Sequence, residues 1–242
     1  MPGDTIKRQR FLRNFERQGV FDDKGPATSR KPGGILYFGD SQMGGNLGGA
    51  LISIIGRGTK LAKGSTTASD WVVNEKLKKA LSSKPTKIII SLGGNGVGDA
   101  SGLLQLIKEQ APNANVVWSG APPPIRRTQS KFTYLNSDKG YSDAYKNRKK
   151  RNDVIKNLVE AEGFTFVDPY DYLLLPVPKI IDNVKYPAGY ECKGCDGIHL
   201  PRDVAFDYVD AISSKLTTSL QEWKNSEINR LLLEKFNLGD KK

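Results

Sequence analysis

Histidine is almost absent: the 242-residue chain has one, His199. Any chemistry here that needs a neutral-pH base therefore has a single obvious candidate. Cysteine is nearly as rare. Cys192 and Cys195 are the only two, too few for a disulfide scaffold, and such usage fits a chain made in a reducing compartment. No apolar run approaches the ~20 residues of a membrane span. Residues 1–31 are basic and polar and lack the roughly 7–15-residue apolar core of a secretory signal. The expected setting is thus cytoplasmic or virion-associated. No phosphate-binding Gly-x-x-x-x-Gly-Lys-Ser/Thr occurs, and Gly93-Gly94-Asn95-Gly96-Val97-Gly98 fits the dinucleotide fingerprint in no register. We expect no cofactor.

Positive charge is abundant. The formal net charge is +11, clustered in Lys7–Arg17, Arg126-Arg127 and Lys146–Arg151. Such clusters attract a polyanion (nucleic acid, an anionic glycan or a membrane surface) or form a solvated face with no dedicated partner. Aromatic residues do not alternate with arginine, so a platform for stacking bases is not indicated.

Residues 1–33 read as a basic arm, closed by Lys31-Pro32-Gly33-Gly34. Residues 34–220 read as one α/β domain, and 221–242 as a helical C-terminal extension. Strand-like runs occur at Ile35–Phe38, Thr59–Ala62, Lys87–Leu92, Asn115–Ser119 and Phe164–Val167. Helical segments are expected at Gly45–Ile55, Ser69–Leu81, Leu103–Gln110, Ser142–Glu162 and from Arg202 to Trp223. Short apolar strands alternating with helices predict a parallel sheet covered on both faces. Ala121–Gly140 is the longest irregular segment, and a loop of ~20 residues in a compact domain is usually functional.

Sites in open parallel sheets lie beyond the carboxyl ends of the strands. The first such position holds Gly39-Asp40-Ser41. Far downstream stands Asp196-Gly197-Ile198-His199. Together they offer a nucleophile, a base and a carboxylate to orient that base. Each piece has a plainer reading: Gly-Asp-Ser is common in turns, Asp196 could cap a helix starting near Pro201, and Asn95 could occupy a left-handed turn. Their joint occurrence at strand ends favours chemistry.

These blocks resemble those of the SGNH (GDSL-type) hydrolases, serine esterases on a three-layer α/β/α, flavodoxin-like fold with a parallel five-stranded sheet. Gly39-Asp40-Ser41 is similar to the first block, Gly64 to the second, Gly93-Gly94-Asn95 to the third and Asp196-Gly197-Ile198-His199 to the last. The resemblance covers roughly residues 35–215. It implies Ser41 as nucleophile, His199 as base and Asp196 as its orienter. It also implies an oxyanion hole from the backbone N–H groups of Ser41 and Gly64 and the Asn95 side-chain amide. The chain departs from the pattern where Gly96 replaces the aspartate of the third block, and where Gln42 stands in place of the frequent leucine. Ser41 does not lie in a Gly-x-Ser-x-Gly elbow, which argues against an α/β-hydrolase fold.

The expected activity is hydrolysis of a carboxylic ester, a short O-acetyl group on a glycan or other polar carrier first among them. Gln42, Arg126, Arg127 and Tyr134 are expected to line the substrate. No metal is expected, because two cysteines with His199 fall short of a structural zinc set and would consume the base. Cys192 and Cys195 read first as two ordinary thiols, with a disulfide clip on the His199 loop as the alternative. A second class of function is a binding or structural component of an assembly such as a virus particle, docked through the arm.

Overall fold

The computed structural model describes residues 34–124, 131–173, 179–181, 184–186, 196–202 and 204–216. The arm at 1–33, the extension at 221–242, Arg126, Arg127, Cys192 and Cys195 lie outside the described residues.

Five strands form one sheet: β1 (Ile35–Gly39), β2 (Thr59–Ala62), β3 (Lys87–Ser91), β4 (Asn115–Ser119) and β5 (Thr165–Val167). Their order is β2-β1-β3-β4-β5, and every neighbouring pair is parallel. This is the flavodoxin-like order, with its switch point between β1 and β3.

Strand side chains alternate between faces, and the core divides accordingly. Leu36, Phe38, Ile88, Ile90, Val116, Trp118 and Phe166 point one way. They pack on α3 (Ala68–Val72), α4 (Glu75–Leu81), α5 (Ala100–Gln110) and α6 (Asp138–Ala161). Tyr37, Ile89, Val117 and Val167 point the other way. They meet α1 (Ser41–Gly44), α2 (Asn46–Ile55), α7 (Pro169–Leu173) and a helix over 204–216, α8. Helices on both faces of a parallel sheet make the expected three layers.

All five strands lie where the apolar runs place them. The helices differ in detail. One helix over Ser69–Leu81 is expected, but two form, because the Asn74 side chain accepts a hydrogen bond from Leu77 N (3.1 Å) and starts α4 afresh. α6 begins four residues before the expected Ser142, capped by Ser137, whose side chain accepts from Gly140 N. An antiparallel pair, β6 (Lys179–Ile181) with β7 (Val184–Tyr186), was not expected: three-residue strands are too short to show a period of two.

The Lys146–Arg151 run is only partly a solvent face. Arg148 is buried and donates through Nη1 to Pro122 O (2.9 Å). Arg151 Nη1 donates to Gly94 O (2.9 Å), and Lys149 pairs with Asp153 and with Asp168. Asn152, fully buried on the same helix, both donates to Ala121 O and accepts from Ala121 N, each at 2.9 Å. α6 thus grips the loops that leave β3 and β4.

Candidate active site

β1 ends at Gly39, which no other residue could replace without a shift: a Cβ there would stand 2.1 Å from Ser91 O. Asp40 N donates to that same carbonyl (3.0 Å), which binds the exits of β1 and β3 together at the switch point. Asp40 then caps α1. Its Oδ1 accepts from Gln42 N (2.9 Å), and Ser41 becomes the first residue of the helix.

His199 Nε2 lies 2.8 Å from Ser41 Oγ. His199 Nδ1 lies 2.7 Å from Asp196 Oδ2. The other carboxylate oxygen, Oδ1, accepts from Ile198 N and His199 N, both at 2.9 Å. One carboxylate therefore shapes the turn that carries His199 and orients its ring. Burial by itself would raise the Asp196 pKa. The N–H of His199, its ring and the N–H of Ile198 outweigh that and hold the carboxyl well below the usual carboxylate range. Asp196 is thus an anion at neutral pH, able to stabilise an imidazolium.

The other blocks converge on the same point. A Cβ built on Gly64 would stand 4.0 Å from Ser41 Cβ, so the turn after β2 lies beside the serine. Its neighbour Ser65 has φ +58°, in the left-handed region. Asn95 Nδ2 donates to Thr66 O (3.2 Å) and lies 3.4 Å from Asp40 Oδ2. Thr66 Oγ1 donates to Lys63 O (2.7 Å) and accepts from Trp71 Nε1 (3.1 Å), which fixes the Gly64 turn against the core. Behind Ser41, burial pushes the Asp40 carboxyl up to about 6, against the lowering pull of Gln42 N, Arg148 and His199.

The structure thus brings together Ser41, Gly64, Asn95, Asp196 and His199. It corrects the reading of Gln42. That side chain is 6% exposed and turned toward protein: Nε2 donates to Ile198 O (2.7 Å), and Oε1 accepts from Leu200 N (3.3 Å). The buried amide thus holds the His199 segment at both ends instead of facing outward as a substrate contact. Tyr134 is 45% exposed in a 3-10 turn at Thr133–Asn136. Its ring packs at a tilt on Phe132 (6.2 Å between centroids), and Phe132 in turn lies 6.5 Å from the His199 ring. Arg126 and Arg127 fall outside the described residues.

Two neighbours of the site escaped the sequence reading. Phe132 stands beside the imidazole, and Lys131 Nζ is 3.3 Å from Asp196 Oδ2. The available signal was their place in the long segment after β4. Leu135, Tyr141 and Ile198 form a small separate core that fastens this segment to the His199 loop.

No family model matches the sequence, and no curated protein is detectably similar to it. Solved structures of the same fold do exist. A GDSL-like lipase from Bacteroides thetaiotaomicron is 14% identical with a TM-score of 0.51, covering 88% of this chain and 97% of its own. An extracellular lipase from Streptomyces rimosus is 16% identical with a TM-score of 0.51, covering 76% and 99%. The periplasmic domain of a lipopolysaccharide acetyltransferase from Salmonella ser. Paratyphi A is 14% identical with a TM-score of 0.51, covering 88% and 96%. The chain thus shares its fold with structures of a GDSL-like lipase, an extracellular lipase and an acetyltransferase domain.

Proposed function

We propose that this protein is a serine esterase that removes a short acyl group, acetyl first among the candidates, from a polar carrier such as a glycan. The observation that carries the reading is the line from Ser41 Oγ to His199 Nε2 (2.8 Å) and from His199 Nδ1 to Asp196 Oδ2 (2.7 Å). In this reading Ser41 Oγ attacks the ester carbonyl while His199 Nε2 takes its proton. Asp196 holds the imidazole in the tautomer with a proton on Nδ1 and stabilises the cation that forms. The oxyanion is received by the N–H groups of Ser41 and Gly64 and by Asn95 Nδ2, whose long 3.4 Å contact with Asp40 Oδ2 gives way to it. His199 then gives its proton to the departing alcohol. Water, activated by the same histidine, releases the acid and restores Ser41.

The substrate class rests on the walls of the site. Among the described residues of the segment after β4, Lys131 reaches Asp196 and Tyr134 is half-exposed, which suits a small acyl group on a polar, anionic carrier. One structure sharing the fold is an acetyltransferase acting on lipopolysaccharide, so a sugar hydroxyl is a second candidate acceptor in place of water.

The test compares p-nitrophenyl acetate, p-nitrophenyl octanoate and an acetylated sugar as substrates for wild type and Ser41→Ala. The reading expects short over long chains and loss of roughly 10⁴-fold or more in the variant. Failure of the wild type to turn over any of these esters would favour the binding or assembly role instead.

A further inference from the structure

The residue after the nucleophile is tied to both neighbours of the base. Gln42 Nε2 donates to Ile198 O at 2.7 Å, and Leu200 N donates to Gln42 Oε1 at 3.3 Å. Ile198 and Leu200 flank His199. Their C=O and N–H stand on one side of the backbone, and the Gln42 amide meets both, as a peptide group of an adjacent strand would. Four residues on, Asn46 Nδ2 donates to Leu200 O (2.9 Å), a second tie from α2 to the same segment. Gln42 is itself fixed, because its backbone N–H is held by the Asp40 cap and its side chain is buried.

We propose that Gln42 is a positioning residue that sets where His199 stands relative to Ser41. The need for such a device is geometric. Nucleophile and base come from segments 158 residues apart, and His199 sits in a turn rather than in a strand or helix. The Asp196 contacts shape that turn from within but do not connect it to Ser41. Gln42 makes the connection through a residue adjacent to the serine. An aliphatic side chain of equal size would fill the space and leave Ile198 O and Leu200 N without partners. Displacement of a reacting group by ~1 Å can lower turnover about 100-fold.

This inference rests on the esterase reading for its kinetic readout and has a second readout that does not. Gln42→Met keeps length and loses both hydrogen bonds; Gln42→Glu keeps the acceptor for Leu200 N. Gln42→Met should lower kcat for p-nitrophenyl acetate roughly 10- to 100-fold with KM changed less than about twofold, and Gln42→Glu should fall between it and wild type. Because the chain has one histidine, its imidazole gives a single Cε1–H signal in a ¹H–¹³C spectrum. That signal should be single and sharp in wild type and should broaden or split in Gln42→Met, at a melting temperature that shows a folded chain. Wild-type kcat in Gln42→Met, or a lowered kcat with an unchanged His199 signal, would overturn the proposal. If wild type hydrolyses no ester, the esterase reading alone fails, and the His199 signal decides: unchanged overturns the clamp, split supports it. If Gln42→Met does not fold, the same two readouts on Gln42→Glu decide.

Discussion

Asp196 holds His199 twice: Oδ1 accepts from its backbone N–H at 2.9 Å, and Oδ2 lies 2.7 Å from its ring Nδ1. The two contacts have separable consequences. A neutral amide in place of the carboxylate can still accept from the backbone, so the turn survives. It supplies no negative charge for the imidazolium, and it can present an N–H to Nδ1 and so favour the wrong tautomer.

Asp196→Asn should therefore fold and bind ester normally while kcat falls by about 10³–10⁴. Steady-state kinetics on p-nitrophenyl acetate, with a melting curve as control, checks it. A variant with more than a tenth of wild-type kcat would mean that the carboxylate only shapes the turn.

Asn95 is positioned by Thr66 O and by the Asp40 carboxyl. As an oxyanion donor it acts chiefly in the transition state. Asn95→Ala should lower kcat by roughly 10²–10³ and leave KM nearly unchanged. A normal kcat would reduce Asn95 to a turn residue.

Asp40 makes stability depend on pH in a direction opposite to most carboxylates. Burial raises its carboxyl from the ordinary 3.8 to about 6. The folded state thus holds the proton more tightly than the unfolded chain. The linked stability, on the order of 3 kcal/mol, is fully present below pH 3.8 and is lost as pH rises through about 6. Asp40→Asn keeps a neutral acceptor for Gln42 N at every pH. The variant should match wild type near pH 4 and exceed it in urea unfolding above pH 6. An equal difference at both pH values would show that Asp40 is not protonated in the fold.

The strands were legible because they are short runs, four of them ending at glycine, serine or alanine, and both faces of the sheet are covered. The chemistry was legible because few residue types can perform it and histidine occurs once. What the sequence hid are contacts whose partners lie far apart along the chain. Gln42 looks like a polar residue next to a nucleophile, and only its bond to Ile198, 156 positions away, makes it an internal tie. Arg148 and Arg151 sit in a run that reads as a solvated basic face, and Asn152 directly follows it. Their bonds to Pro122, Gly94 and Ala121 depend on how α6 crosses the strand ends. The break between α3 and α4 was available locally in Asn74, a residue that prefers a cap to a helix interior.

The central claim is that Ser41 carries the acyl group. Mixing the protein with excess p-nitrophenyl acetate, quenching in acid within the first turnover and digesting for mass spectrometry tests it directly. The account predicts one acetyl group on the peptide containing Ser41, formed with a matching burst of p-nitrophenol and absent from Ser41→Ala. Steady release of p-nitrophenol with no adduct on that peptide, or with the same adduct elsewhere in Ser41→Ala, would contradict it.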